Sequence, residues 1–225
     1  MSSLRPRSAA MRKPKDPGGN RDRIIAAAAQ EFAAHGLKGA SMDAIAERTD
    51  TARGMINYYF GNKEDLYLEV LESAYRVNRQ AEEALQLDAL EPTQALQKLV
   101  EFTFDYYRSH PENVRLIAAE NQAGGSHLKR SAVVKSVNQS ILARIGQLLH
   151  RGARQKLFRK DCTPVELHMM ITALTFFSSA NKHTFGHSFD VDFDAPEVIA
   201  RHRGLIVDAV LRFVLRDGAT PVPRL

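Results

Sequence analysis

Cysteine is almost missing: Cys162 stands alone in 225 residues, which excludes an internal disulfide framework and a multi-thiolate metal site. A lone thiol is more often inert than reactive. Long hydrophobic runs are missing too; none approaches the roughly 18 residues that cross a bilayer, and the N-terminus has no apolar leader segment. The expectation is a soluble, cytoplasmic protein with no membrane partner. Strand-like alternation is nearly absent, and beyond the first twenty residues glycine and proline sit where helix punctuation would put them. The chain lacks Gly-x-Ser-x-Gly, a Walker loop, a dinucleotide fingerprint and His-Glu-x-x-His, and Cys162 has no base beside it. No enzyme and no cofactor are expected.

What is present is charge, unevenly placed. The chain is 25% charged with a net charge of +5. Residues 1–23 hold Arg5, Arg7, Arg12, Lys13, Lys15, Arg21 and Arg23 against Asp16 and Asp22, so this segment carries the whole excess. A flexible basic arm over 1–20 suits a polyanion such as DNA, through phosphate neutralisation and counterion release. A solubilising tail is the plain alternative. Between Glu120 and Asp161 lie nine basic residues and no acid. On helices these spread over several faces, so pairing with acids of neighbouring helices competes with a role in holding an anion.

The remainder reads as helix after helix. In 21–35, Ile24, Ile25, Ala28 and Phe32 form one stripe that stops at Gly36, a natural C-cap. Ser41 can cap a short second helix with Met42, Ile45 and Ala46 inward, ending near Thr49-Asp50. A third helix is expected from Arg53 to Tyr59, and Asn62 caps a long fourth whose first-turn acids suit the helix dipole. Two short helices braced by a preceding one form the helix-turn-helix unit, which lays its second helix in a major groove.

The stretch TDTARGMINYYFGNKEDLY, residues 49–67, then has a use for each residue type. Arg53 can reach phosphate or a guanine edge, and Asn57 can offer a bidentate amide to adenine. Gly54 allows close approach of the backbone to DNA, and the tyrosines can place a hydroxyl on phosphate while their rings pack on the domain. Lys63 lies at a helix N-terminus, where free N–H groups already favour a phosphate.

At these residues the chain resembles the TetR family of bacterial transcriptional regulators. The resemblance rests on Phe32 and Gly36, Ser41, Ile45-Ala46, Gly54, and Tyr58-Tyr59-Phe60 with Lys63-Glu64 and Leu66. It covers about 45 residues closely; the all-helical remainder, with Phe158-Arg159-Lys160-Asp161 ahead of a helix, fits more loosely. The DNA-binding set it implies is Ser41, Thr51, Ala52, Arg53, Gly54, Met55, Asn57, Tyr58, Tyr59 and Lys63. A helical wheel sets Tyr58 opposite Ile56 and Phe60, whereas the family tends to bury that ring; in a helix of barely two turns the resemblance takes precedence, and it implies that Arg53, Gly54, Met55, Asn57 and Tyr59 face DNA and Lys63 a phosphate. Three positions depart from the family pattern. Asp50 replaces a turn glycine and must adopt the left-handed region or change the turn; Ala52 lacks the usual capping hydroxyl, which Thr51 could supply instead; Asn57 stands where tyrosine is common.

The fold expected is all-α, with a helix-turn-helix three-helix domain over 21–66 and a larger effector-binding and dimerisation domain over 67–225. Its helices are expected at 63–87, 92–109, 111–122, 127–157, 164–187 and 195–216, with Pro92, Pro111 and Pro164 in first turns and a capping box at Thr163-Pro164-Val165-Glu166. PVELHMMITALTFF, residues 164–177, is apolar on nearly every face and must be buried on both sides. The last helix has an apolar stripe through Ile199, Leu205, Ile206, Ala209, Val210 and Phe213. The resemblance implies that the last two helices pair with their symmetry mates in a homodimer matched to a palindromic operator in double-stranded DNA.

Polar groups within apolar helices mark an effector pocket: Tyr106, Arg115, Asn121, His168, Thr172 and Asn181, with Phe102, Met169 and Phe176 as walls. His183 and His187 stand four apart, followed by Asp190, Asp192 and Asp194, a weaker pattern for a metal. The function implied is a ligand-responsive repressor released from its operator by a small molecule. An activator, or a helical ligand-binding adaptor without a DNA role, is the alternative. Short stretches look similar to repressors of heterocycle catabolism, such as those for pyrimidine use and nicotinate degradation, which implies a small aromatic or heterocyclic acid as effector.

Overall fold

The computed structural model describes residues 19–216. The basic arm expected over 1–20 therefore lies outside the described residues, apart from Gly19 and Asn20. Ten α-helices follow in order: α1 Asn20–Gly39, α2 Met42–Arg48, α3 Arg53–Phe60, α4 Lys63–Glu83, α5 Pro92–Ser109, α6 Pro111–Gln122, α7 Ala132–Arg154, α8 Pro164–Ala180, α9 Lys182–Phe189 and α10 Pro196–Val214. The described residues contain no named strand; an isolated bridge joins Phe158 to Leu215. The chain is all-α and divides into two compact units at Glu69–Val70, inside α4.

The first unit is built on the stripe of α1. Ile24, Phe32, Ile45, Ile56 and Leu66, drawn from four helices, are almost fully buried, and each such side chain stabilises the unit by about 1.5–3 kcal/mol. Tyr67 sets its ring edge-on to Phe32 at 5.1 Å. α1 kinks at Gly36, where φ is 64° and ψ is 174°, and continues for one more short turn to Gly39.

The second unit has its core where α5, α7, α8 and α10 meet. Leu96, Leu99, Phe104, Ile141, Ile145, Leu167, Ile171, Val210 and Val214 fill it. The segment after α7 locks in through Phe158, which is fully buried and whose ring lies on the bare backbone of Gly152. The flanking amides pair with the end of α10: Arg159 N–H donates to Val214 O at 2.8 Å and Arg216 N–H to Leu157 O at 3.0 Å. Arg159 then clamps Asp161 with two hydrogen bonds of 2.7 and 2.6 Å.

Two expected helices are each divided. The 127–157 helix becomes a 3-10 turn at Leu128–Arg130 and then α7, because the Ser131 hydroxyl accepts from Val134 N–H and starts a new helix. The 164–187 helix breaks at Asn181, whose amide donates to Phe177 O at 3.3 Å and ends α8 before α9 begins. α4 ends at Glu83, four residues earlier than expected. The basic 121–160 stretch is tied in by structure: Arg151 donates to the carbonyls of Leu87, Asp88 and Leu90, and Arg144 pairs with Glu83 at 3.5 Å.

Candidate DNA-binding helix and effector cavity

Ser41 caps α2, its hydroxyl accepting from Ala44 N–H. Its own N–H donates to Glu31 Oε1 at 3.0 Å. Glu31 is buried and also meets Arg48 at 3.5 Å, so one carboxylate joins α1 to both ends of α2. The turn after α2 is a Schellman arrangement: Asp50 takes φ 48°, its N–H reaches Glu47 O at 3.2 Å, and Thr51 N–H reaches Ala46 O at 2.9 Å. These two bonds satisfy carbonyls that the helix end would leave open. Aspartate thus adopts the left-handed conformation that the family's glycine would take.

α3 begins at Arg53 with Ala52 as its N-cap, and no side chain caps it. The cap expected from Thr51 is not formed: α3 starts with Ala52 at the N-cap, one residue past it, and the Thr51 hydroxyl donates back to Thr49 O at 3.1 Å. Ile56 anchors α3 from beneath, while Ala52, Arg53, Gly54, Met55, Asn57 and Tyr58 are exposed and Tyr59 is half-buried. Tyr58 is 63% exposed, so the wheel placed this ring and the family tendency did not. The reason is that Ile56 and Phe60 occupy the inner side and leave position 58 facing away.

Two of the expected cations have partners in this state. Arg53 donates to both carboxylate oxygens of Asp43, at 3.2 and 3.0 Å; both side chains are exposed, and such pairs are worth about 0–1 kcal/mol, so a phosphate can replace Asp43 readily. Lys63 donates to the carbonyls of Lys38 (3.3 Å) and Ala40 (3.1 Å), which ties the start of α4 to the α1–α2 turn. Asn62 caps α4, its side-chain oxygen accepting from Asp65 N–H at 2.9 Å.

The second unit holds a cavity of about 250 Å³ lined by Ala74, Tyr75, Asn78 and Arg79 of α4, Tyr106 and Tyr107 of α5, Asn113, Ile117 and Asn121 of α6, Asn138 of α7, and His168, Thr172 and Phe176 of α8. Five of the expected pocket residues meet here: Tyr106, Asn121, His168, Thr172 and Phe176. Four do not. Met169 and Arg115 point outward from α8 and α6; Asn181 is used at the helix break; Phe102 stacks behind Tyr106 at 5.7 Å without reaching the cavity. Sequence reasoning missed Tyr75, Asn78, Arg79, Tyr107, Asn113 and Asn138, and the apolar Ala74 and Ile117. A signal for the first three existed: the stripe of α4 through buried Leu66, Val70 and Leu71 and half-buried Ala74 runs on at the same spacing into Tyr75, Asn78, Arg79 and Glu82.

The cavity is polar within apolar walls. Tyr106 receives a hydrogen bond from Asn113 Nδ2 at 3.2 Å, and burial pushes the phenols of Tyr106 and Tyr107 up to about 12. Burial, assisted by the nearby Arg79 charge, pulls His168 down to about 4, so its ring is neutral near pH 7. Arg79 is the cation on the lining, buried and paired with Glu82. Asn78 Oδ1, Arg79 Nε and Thr172 Oγ1 are buried on this cavity with no hydrogen-bond partner. Buried polar atoms are rarely left so, and three around one space mark a place for a polar molecule.

Two of the aspartates after α9 are used structurally: Asp194 accepts from Lys182 at 2.8 Å and from Arg108 at 2.9 Å, and Asp192 Oδ1 accepts from Asp194 N–H at 2.8 Å. No group of three metal-ligating side chains forms among the described residues. Cys162 is buried, its thiol directed at Thr163 O at 3.7 Å, and burial raises its pKa. No helix among the described residues is long and apolar enough to cross a membrane.

Comparisons with known proteins agree with this anatomy. Residues 24–70 match the family model described as bacterial regulatory proteins, tetR family, and residues 92–210 match the tetracyclin repressor-like C-terminal domain. The chain is 35% identical over 196 residues to the HTH-type transcriptional repressor NicS of Pseudomonas putida, covering 87% of this chain and 92% of that protein. It is 29% identical over 101 residues to the transcriptional regulator RutR of Escherichia coli, covering 45% of this chain and 47% of that protein. Among solved structures, the fatty acid degradation regulator FadR of Bacillus halodurans shares the fold, with a TM-score of 0.66 at 22% identity over 86% of this chain and 97% of that one. The ketosteroid regulator KstR2 of Mycobacterium tuberculosis does likewise, at 0.64 and 18% over 92% and 100%. The capped α2, the left-handed turn, the exposed face of α3 and the helical second unit are thus those of a DNA-binding regulator and not of an enzyme, and the chain belongs to the TetR family of bacterial transcriptional regulators.

Proposed function

We propose that this regulator is a dimeric repressor that reads a palindromic operator through α3 and leaves it when a small flat acid fills the α4–α8 cavity. The observation that carries the reading is the double role of α4. Its first turn, with Asn62 and Lys63, closes the helix-turn-helix unit, and its later turns supply Ala74, Tyr75, Asn78 and Arg79 to the cavity. A ligand that prefers one setting of α4 changes operator affinity by its differential affinity for the two settings, and by no more. In the bound dimer the two recognition helices must lie about 34 Å apart, one DNA turn, so a small change of setting is enough to misplace one of them.

On this reading Arg53 and Asn57 contact bases or phosphates, Met55 and Gly54 lie against the groove, and Tyr58, Tyr59 and the Lys63 end of α4 meet the backbone. A small aromatic or heterocyclic acid suits a cavity of this size, in which tyrosine and phenylalanine rings enclose one guanidinium and several amides. The test is a mobility shift on DNA from the chain's own promoter region. Arg53→Ala with Asn57→Ala should abolish specific binding while the dimer persists in sedimentation; undiminished binding would sink the assignment. The logarithm of affinity should fall with the logarithm of salt by about 0.9 per phosphate neutralised.

A further inference from the structure

Arg79 and Glu82 form a buried ion pair behind the cavity, and the asymmetry of the pair is informative. Arg79 lines the space; Glu82, one turn further along α4, does not. One terminal nitrogen of the guanidinium bonds to Glu82, while Nε is buried without a partner, as are Asn78 Oδ1 and Thr172 Oγ1 of residues that line the same cavity. The cation is therefore shared between a carboxylate that belongs to the protein and a space with unmet hydrogen-bonding atoms.

Resting on the reading above that an acid fills this cavity, we propose that the acid binds to Arg79 together with one proton, which Glu82 takes up from solvent. An ionised Glu82 already neutralises Arg79. A second carboxylate on the same guanidinium would put two anions against one buried cation, and like charges sharing a site force one of them to stay protonated. Glu82 is the one prepared for it. Burial has already lifted its carboxyl to about 7, against the pull of Arg79, whereas an aromatic acid in solution is ionised well below that.

The other charged and titratable groups around the pair do not substitute for it. Glu83 of α4 and Arg144 of α7, paired at 3.5 Å, act on the Glu82 carboxyl in opposite directions, Arg144 lowering it and Glu83 raising it. From α5 come Tyr106 and Tyr107, and from α8 His168; the shifts given above keep all three neutral near pH 7. Tyr75 of α4 is likewise shifted upward by burial. Further out lie His110, stacked on Tyr106 at 4.1 Å, with Glu112 and Glu120 of α6, the latter bonded to His127 at 2.9 Å.

The sign follows from linkage. Anion binding raises the Glu82 pKa, so binding takes up a proton in the window between the free value, about 7, and the higher bound value. Across that window affinity for the anion falls by up to about tenfold per pH unit as pH rises. An uncharged ligand of the same shape feels little of this, and more of the acid is needed to release DNA at higher pH.

The test is calorimetric titration of the full-length chain with benzoate and nicotinate, and with their carboxamides, from about pH 6 to about pH 8.5 in two buffers of different ionisation enthalpy. The proposal expects proton uptake per acid bound that is small near pH 6, where Glu82 is already protonated, and approaches one above about pH 7, with close to none per amide and loss of the uptake in Glu82→Gln. The two-buffer comparison on the unaltered chain stands even where the variant folds poorly. Acids that bind without proton uptake, or with uptake that persists in Glu82→Gln, overturn the proton coupling and leave the acid-effector reading intact. Acids that bind no better than their amides at any pH, on a chain that still binds DNA, overturn that reading and the proposal with it.

Discussion

At the scale of single residues, the turn between α2 and α3 shows what substitution within a family motif costs. Asp50 holds φ 48° and completes the two bonds that end α2. A side chain there crowds the backbone; aspartate tolerates the left-handed region better than most residues but less well than glycine. Asp50→Gly should therefore stabilise the first unit by up to about 1 kcal/mol, and Asp50→Val should destabilise it by about 1–2 kcal/mol. Amide hydrogen exchange in α2 and α3 reads both, and equal protection in the two variants would contradict the account. This conformation could be anticipated because a family glycine is missing at a position whose turn is otherwise unchanged. Glu31 was equally open to view, three residues after Ala28 on the buried stripe of α1. Thr51 was not: which residue becomes the N-cap depends on where α3 starts, and it starts with Ala52 as its cap while the Thr51 hydroxyl donates to Thr49 O.

Elements were legible where their ends are marked by chemistry. Pro92, Pro111 and Pro164 each open a helix, and the capping box at Thr163 forms with Glu166 N–H to Thr163 Oγ1 at 3.3 Å and Thr163 N–H to Glu166 Oε2 at 2.8 Å. The break at Asn181 was hidden because apolar spacing continues through Phe185 and Phe189 on its far side. Asn138, Asn113 and Arg79 were hidden for a related reason: on a long helix a polar residue facing a cavity has the same spacing as one facing water. The junction after α7 depends on tertiary packing that no periodicity reports. A Cβ at Gly152 would lie 2.1 Å from the Phe158 ring, so Gly152→Ala must move that ring and with it the bridge to α10. The expected cost is about 1–3 kcal/mol for overpacking, seen as a lower unfolding temperature of the second unit. An unchanged temperature would mean that the ring has room to shift.

At the scale of the whole molecule, α8 faces two ways. Leu167, Ile171, Thr175 and Ser178 are buried in their own unit, while Val165, Met169, Ala173 and Phe177, spaced by four, form an open stripe on the other side. Met169 is 64% exposed, and on α10 Leu205 is 55% exposed although Ile206 beside it is in the core. Exposed apolar stripes of this kind commonly mark partner surfaces, and regulators of this family act on DNA as dimers. Met169 was thus read from the sequence as apolar and embedded, correctly as chemistry but on the wrong side of its helix, since the wheel of an all-apolar helix has no polar face to orient it. Met169→Glu should leave the core and the cavity lining untouched yet place a charge on that exposed stripe, twice in a dimer that pairs through α8. The expected result is a monomer in sedimentation at micromolar concentration and a fall in operator affinity of at least about tenfold, because two linked half-site contacts become independent ones. Benzoate binding by the isolated protomer should persist. A variant that remains dimeric would move the interface off α8; one that becomes monomeric and keeps full operator affinity would show that a single α3 suffices for recognition.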